Sequence, residues 1–484
     1  MIVLTFLVSA LAALGLWAWW FVPKEFVDTV RHVASTRPLA ETFAATPLVK
    51  SAVPLAADLS QREGVDWPSF LGPTGDGHTT DARLKPWSTQ GPKIVWTAEI
   101  GEGYAAPSVV RGRVIVFDRI NNEVRCRCMH SDTGQELWQF RYPTDYRDKQ
   151  GYDGGPRASP VSDGARVYLY GPEGMLHCLR LEDGQLLWKI NILATFGVVQ
   201  NIFGVGSTPL IDGDKLLVQV GGSPPGSTDK DFMSLKNSGS CIVAFDKASG
   251  QVLYQCGQDL ASYASPQVVT LQGQRTGLVF ARGGVVGFDP ETGVERFRYP
   301  YRARSYNAVN ASNLVVQNDR LFVTESYEIG CVQLKVNERL LEQTWAASPR
   351  KKDQGVCCHW STPVLIDGHL YGCTSRHRND AEIRCVEWAT GKVKWTAKPA
   401  LKDEVAGRGS LITANGYLFY FVEEGWLFMI KAQASGYEQA AVWDAASAVP
   451  TLKYPCWAGP VLARGQLYLR GKGCVMCVDV GGIH

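Results

Sequence analysis

The stretch "RASPVSDGARVYLYGPEGMLHCLRLEDGQLLW", residues 157–188, decides the fold. It opens on a small-small-Pro lead-in, runs through an alternating strand, and turns at Asp163-Gly164. A second strand, a third strand, another Gly turn at Asp183-Gly184 and an apolar strand ending in Trp188 complete it. Short alternating strands joined by Gly-bearing tight turns are hairpin signals.

The same pattern begins at Tyr104, Arg157, Gly206, Tyr263, Asn310, Trp360, Arg408 and Trp457, with successive starts 47 to 57 residues apart. Its first turn appears as Arg111-Gly112, Asp163-Gly164, Asp212-Gly213, Gln272-Gly273, Asn318-Asp319, Asp367-Gly368, Asn415-Gly416 and Arg464-Gly465. The later turn appears as Thr133-Gly134, Asp183-Gly184, Ser249-Gly250, Thr292-Gly293 and Thr390-Gly391, often followed by a strand ending in Trp. Eight units of four short strands with a period near 50 predict an all-β, eight-bladed β-propeller over residues 67–484. The eighth unit lacks its last strand, and "KIVWTAEI", residues 93–100, resembles the strands ending in Trp138 and Trp188. Lending that N-terminal strand to the last blade closes the ring and removes both open edges.

The rest of the chain sets its class. A length of 484 residues exceeds one ordinary core, and 45% hydrophobic with 20% charged residues describes a folded protein. A net charge of +2, with no long Lys or Arg run, gives no case for nucleic acid. Residues 2–22, "IVLTFLVSALAALGLWAWWFV", are uncharged and apolar, and as a helix would span roughly 31 Å. Trp17, Trp19 and Trp20 sit where an interfacial aromatic belt would lie. Residues 1–23 are therefore expected to be a transmembrane anchor or a signal segment, with the propeller periplasmic or otherwise outside the cytoplasm. The absence of a positive n-region and of a small-x-small site before Pro23 favours the anchor; Lys24 and Arg31, after the span, oppose that orientation. Residues 24–66, rich in Ala, Pro, Thr and Ser, read as a linker.

The repeated pattern "SPV..DG.VY....G.L.CL...DG..LW", taken from residues 159–188, resembles the repeats of the pyrroloquinoline-quinone (PQQ)-like propeller superfamily. "WPSFLGPTGDGHTT", residues 67–80, is similar to the opening segment of a bacterial exported subgroup. The resemblance implies two kinds of function. Quinoprotein alcohol dehydrogenases of the superfamily hold PQQ and Ca²⁺ in the funnel. The propeller lipoprotein of the outer-membrane barrel-assembly machinery binds partners without a cofactor. Fold alone does not choose between them.

The residues that start each unit form a candidate site. Innermost strands begin at one face of a propeller, so these side chains should crowd one mouth of the central channel. Tyr104, Arg157, Tyr263, Asn310, Trp360, Arg408 and Trp457 are the expected ligand-binding rim, able to stack on and pair with a flat anionic ligand or a peptide. The other reading is that they plug the funnel by packing on one another.

Cys357-Cys358-His359 lies directly before Trp360. In the dehydrogenases, a disulfide between adjacent cysteines covers one face of the quinone and a Trp lies beneath the other. The resemblance thus implies Cys357, Cys358 and His359 as a cofactor site for PQQ with Ca²⁺ in the alternative reading. The family's Ca²⁺ ligands and catalytic Asp find no match; Glu102 and Asp153 are the few acids near the unit starts. The competing reading is a structural or partner-contact loop. Of 13 cysteines, Cys126 and Cys128 share a strand face. Cys474 and Cys477 point to opposite faces, which disfavours chelation. Cysteines on propeller strands are expected as small buried apolar residues. "GPTGDG", residues 72–77, lacks the Lys-Ser/Thr ending of a phosphate loop. The functional expectation is a non-catalytic binding or scaffold propeller of the cell envelope, with no resident cofactor or metal, a membrane attachment and an envelope protein partner. A PQQ-dependent quinoprotein dehydrogenase is the alternative.

Overall fold

Each repeat folds into one antiparallel meander, its four strands neighbouring one another in sequence order. The structure is a computed structural model that describes residues 53–80, 84–305, 308–338, 340–401 and 405–481. Blades 1 to 7 span residues 108–143, 161–191, 210–256, 267–300, 315–347, 364–397 and 409–444. Blade 8 combines residues 461–479 with Lys93–Glu99. That front strand runs antiparallel to Cys474–Asp479, with Glu99 opposite Cys474 and Lys93 opposite Asp479. The eight-bladed ring and its N-terminal closure are as the repeats predict.

The turn chemistry explains the hairpins. At Arg111-Gly112, Gln272-Gly273, Asp367-Gly368, Asn415-Gly416 and Arg464-Gly465 both residues have positive φ. This is the backbone a two-residue turn needs to match the right-handed twist of its strands.

The later Gly turn has a different purpose, visible only between blades. The aromatic that ends one blade lies flat on the Gly turn of the next. Trp96 covers Gly134, Trp138 covers Gly184, Trp188 covers Gly250, Tyr254 covers Gly293, and Trp345 covers Gly391. The polar end of each ring then donates to a carbonyl in the same neighbouring blade. Trp96 Nε1 reaches Ser131 O at 2.7 Å, Trp138 Nε1 Leu181 O at 2.9 Å, and Trp345 Nε1 Trp388 O at 3.0 Å. An aromatic body is buried while its one donor stays satisfied, so each seam gains both area and a hydrogen bond. Blade 4 offers Phe297 at this position and has no donor to give. There the Gln272 side chain takes over, donating to Val336 O at 3.3 Å and accepting from Glu338 N at 3.0 Å.

The expected anchor, residues 1–23, lies outside the described residues, as do residues 24–52 of the stretch read as a linker. Among the described residues no helix is long and apolar enough to cross a membrane. Residues 53–66, also read as linker, form a strap across the face that carries the first turns. Ala56 N donates to Gly164 O of blade 2 and Leu59 N to Arg111 O of blade 1. Arg464 of blade 8 grips Asp58 at 2.7 Å and Asp66 at 2.7 Å. Beyond it, Trp67 exchanges two 2.8 Å hydrogen bonds with Val109, and His78–Thr79 pairs parallel to Thr413-Ala414 on the innermost strand of blade 7. Within "GPTGDG", Asp76 binds the His78 imidazole at 3.2 Å, so this Gly-rich stretch leads into the strand added to blade 7.

Candidate functional site

Each innermost strand starts at the opposite mouth, and the side chains that precede these strands do converge there. Trp457 is the hub. Its ring centre lies 4.9 Å from Tyr104, 5.6 Å from Tyr152 and 5.7 Å from Trp360. Tyr152 also meets Phe203 at 5.7 Å, and Phe203 meets Tyr263 at 5.7 Å. All five pairs are tilted or edge-on, the arrangement favoured by ring quadrupoles. Tyr152 is 48% exposed and bridges the rings of blade 3's approach and blade 8's.

Arginines lie on the ring faces. Arg408 sits 4.6 Å over Trp360 and 5.9 Å from Trp457; Arg157 sits 5.3 Å from Tyr104. Both are tied to carboxylates. Arg408 forms a two-point pair with Glu423 at 2.9 and 2.8 Å, and Arg157 binds Asp148 at 2.7 Å. Glu423 further accepts from Trp457 Nε1 at 2.8 Å and from the Tyr454 hydroxyl at 3.2 Å. Burial pushes the Glu423 carboxyl up, but the Arg408 and Trp457 hydrogen bonds outweigh it and hold the group below its ordinary value. Arg376 lies 4.4 Å over the Tyr327 ring, and among the described residues no carboxylate forms an ion pair with it.

His359 joins the two arginine sites. Arg408 Nη1 donates to His359 Nδ1 at 3.3 Å; the ring proton therefore sits on Nε2 and is donated to the Tyr327 hydroxyl at 2.9 Å. Burial first, then the charges of Arg408 and Arg376, drop this imidazole to about 3. The ring stays neutral. Burial and the nearby Asp153 push the Tyr104 phenol up to about 12, so it too is uncharged. The mouth thus offers π faces and guanidinium groups beside a neutral imidazole and a neutral phenol.

Of the expected rim, Tyr104, Arg157, Trp360, Arg408 and Trp457 are brought together. Tyr263 is half-buried at the margin, its hydroxyl accepting from Phe203 N at 2.8 Å, while its ring occupies the space a side chain at Gly206 would need. Asn310 is not presented to a ligand. It is 5% exposed, and its amide donates to Ala281 O at 2.7 Å and Arg282 O at 3.3 Å, bracing blade 4. Tyr152, Phe203, Tyr327, Arg376 and Glu423 were missed because they stand outside the repeated lead-in. For Tyr152 and Phe203 the signal was an aromatic a few residues before a unit start; Tyr327, Arg376 and Glu423 follow the second strands of their blades and carried none.

Cys357 and Cys358 do not fit a quinone cover. They are 2% and 0% exposed and packed with Phe322, Cys331 and Leu370 between blades 5 and 6. The neighbouring Cys331 thiol and burial push Cys357 up, and burial does the same to Cys358. Both are free thiols. Only His359 of the three reaches the mouth. Glu102 accepts from Gly154 N at 3.0 Å and Asp153 binds Lys472 at 3.1 Å, so these acids tie loops together. Among the described residues no three His, Cys, Asp or Glu side chains are grouped to hold a metal ion. The residues present therefore do not match the PQQ and Ca²⁺ arrangement of the dehydrogenases. Cys474 and Cys477 are both buried, and Cys126 and Cys128 lie in one core cluster, as their strand spacing predicts.

Comparison with known proteins agrees with the architecture. The chain is 12% identical to the quinohemoprotein alcohol dehydrogenase of Comamonas testosteroni, with a TM-score of 0.57 over 87% of this chain and 81% of that one. It is 12% identical to BamB of Moraxella catarrhalis, with a TM-score of 0.53 over 81% of this chain and 99% of that one. These likenesses show the fold. In sequence it is 26% identical over 108 residues to the outer membrane protein assembly factor BamB of Shewanella oneidensis, a match spanning 20% of this chain and 27% of that protein. The family model for outer membrane protein assembly factor BamB matches residues 121–397, more than half of the chain. On that match, this eight-bladed PQQ-like propeller belongs to the BamB family.

Proposed function

We propose that this chain is a non-catalytic binding propeller of the cell envelope. Its ringed mouth holds a segment of a partner protein, and residues 1–23 tether it to a membrane. The carrying observation is the cluster of Tyr152, Trp457, Trp360 and Tyr104 with Arg408 and Arg157 against its rings, beside Arg376 over Tyr327. Rigid aromatics mixed with arginine give large contact area at small entropic cost, the composition that dominates protein interfaces. Relatives named outer membrane protein assembly factors support an envelope setting and a partner among assembly proteins.

A photo-crosslinking residue in place of Tyr152, irradiated in intact cells, tests this reading. A discrete adduct is expected from Tyr152 and none from the same residue at Leu340, which is exposed on an outer strand. No adduct at Tyr152 counts against a partner at this mouth. For the tether, the chain should stay in the membrane fraction after a high-salt wash. A soluble form trimmed near residue 23 would show a cleaved signal.

A further inference from the structure

Three guanidinium groups of the aromatic mouth are each met by a carboxylate of this chain: Arg157 by Asp148, Arg408 by Glu423 and Arg378 by Glu424. Arg376 is not. It is half-buried and lies 4.4 Å over the Tyr327 ring, and its guanidinium makes no hydrogen bond or ion pair with the described residues. The nearby acids are committed elsewhere. Glu325, 1% exposed, turns into its own loop and accepts from the N–H groups of Tyr327, Glu328 and Gly330. Glu328 accepts from Arg304 N at 2.6 Å.

Other donors in this sector, between blades 5 and 6, also lack an acceptor. The Tyr327 hydroxyl accepts from His359 Nε2, which leaves its own proton to give. Trp360 Nε1 is buried without a partner among the described residues. So is the hydroxyl of Ser326, a residue 6% exposed that adjoins Tyr327 in the chain. A buried donor left unmade is costly. This sector is therefore rich in donors and poor in acceptors, and the charge of Arg376 there is uncompensated.

The pairs already present in the mouth show what such a guanidinium takes. A carboxylate is planar, matches the guanidinium fork and gains from charge-assisted hydrogen bonds. The Tyr327 ring holds Arg376 by one face, so its N–H edges stay open to a group lying in the guanidinium plane. We propose that Arg376 and the Tyr327 hydroxyl form a carboxylate-recognition site on the margin of the mouth between blades 5 and 6. The guanidinium pairs with the carboxylate, and the Tyr327 O–H donates a further hydrogen bond to it. The carboxylate comes from outside the chain, as a free small acid or as the acidic side chain of a peptide. The site takes a free carboxylate with or without a partner protein on the mouth, so it stands or falls apart from the function proposed above.

The test uses the full chain with its eight histidines isotope-labelled for NMR. The His359 signal, identified by its loss in His359→Gln, reports on the Tyr327 hydroxyl it touches. The probes are acetate against chloride at equal ionic strength, and a capped Ala-Glu-Ala peptide against the same peptide with Gln. Acetate is expected to shift the His359 signal saturably where chloride does not, and Arg376→Gln to weaken that response at least about tenfold. Lys392→Gln, at an exposed position ahead of the outermost strand of blade 6, should leave it unchanged. A response to the Glu peptide and not the Gln peptide assigns the carboxylate to a protein side chain as well; a response to acetate alone assigns it to a small acid. The proposal is overturned if acetate and chloride act alike, if the response never saturates, or if Arg376→Gln responds as the unmodified protein does. The comparison of acetate with chloride is made on unmodified protein, so it decides the matter even if Arg376→Gln fails to fold.

Discussion

The indole of Trp96 lies on Gly134 and donates to Ser131 O at 2.7 Å. Trp96 belongs to the strand that closes blade 8, and Gly134 to the later turn of blade 1. One contact therefore joins the ends of the ring by the same device that joins its interior seams.

Placing a side chain at Gly134 tests that device. A Cβ there would lie 2.8 Å from the indole, at a φ of +71°. Gly134→Ala is expected to cost about 2–4 kcal/mol in chemical denaturation, combining overpacking with left-handed backbone strain. Gly213→Ala has a φ of +59° but meets nothing within 4 Å. It should cost only about 1 kcal/mol. Equal losses would show that backbone conformation, not the aromatic seat, sets the requirement.

Glu423 is the electrostatic keystone of the aromatic mouth. Its side chain is fully buried against Arg408. Glu423→Gln should destabilise by about 2–4 kcal/mol, because it leaves a mostly buried guanidinium without its counter-charge. The folded carboxyl sits below its ordinary 4.5, so its contribution is complete above that value and disappears as acid carries the pH down through the folded value. Urea unfolding of wild type and variant at falling pH should therefore converge.

His359 acts in the same direction but begins at a higher pH. Its folded value of about 3 is far below the ordinary 6.5. In the unfolded chain it takes up a proton below 6.5, while in the fold it does not until about 3. It therefore erodes stability as pH falls through that window. Its imidazole NMR signals should stay fixed from about pH 8 to about pH 5, and His359→Gln should flatten the acid loss of stability.

All 13 cysteines are free and buried, and burial raises thiols such as Cys128 to about 12. Native protein should give almost no reaction with a thiol reagent at neutral pH, and all 13 should react once unfolded without reductant. Fewer thiols after unfolding would reveal disulfides in the natural protein.

What could be read from residues alone follows from what repeats. Hairpin turns, strand alternation and the front strand each obey a local rule that eight copies reinforce. The seats beneath Trp138 and Trp345 were visible as Gly turns, yet their partners lie one blade away, across a contact no local pattern records. The strap at residues 53–66 went unrecognised for a related reason. Its hold on the ring combines backbone hydrogen bonds at Ala56 and Leu59 with ion pairs such as Asp58 with Arg464, set in a stretch with no periodicity. Asn310 shows the converse error. Its place in the repeat matched the rim, but its buried amide is satisfied by the Ala281 and Arg282 carbonyls of blade 4 and so braces the backbone instead of facing solvent.

The pairing of Lys93–Glu99 with Cys474–Asp479 has a cost in time. During synthesis the N-terminal partner emerges early and must wait, edge exposed, until almost the whole remaining chain has followed. A nascent propeller is therefore an open arc with an adhesive end, vulnerable to pairing with a neighbour's arc rather than its own tail. Factors that shield residues 93–99 during that interval would raise the yield of single rings over tangled multimers without touching the finished protein.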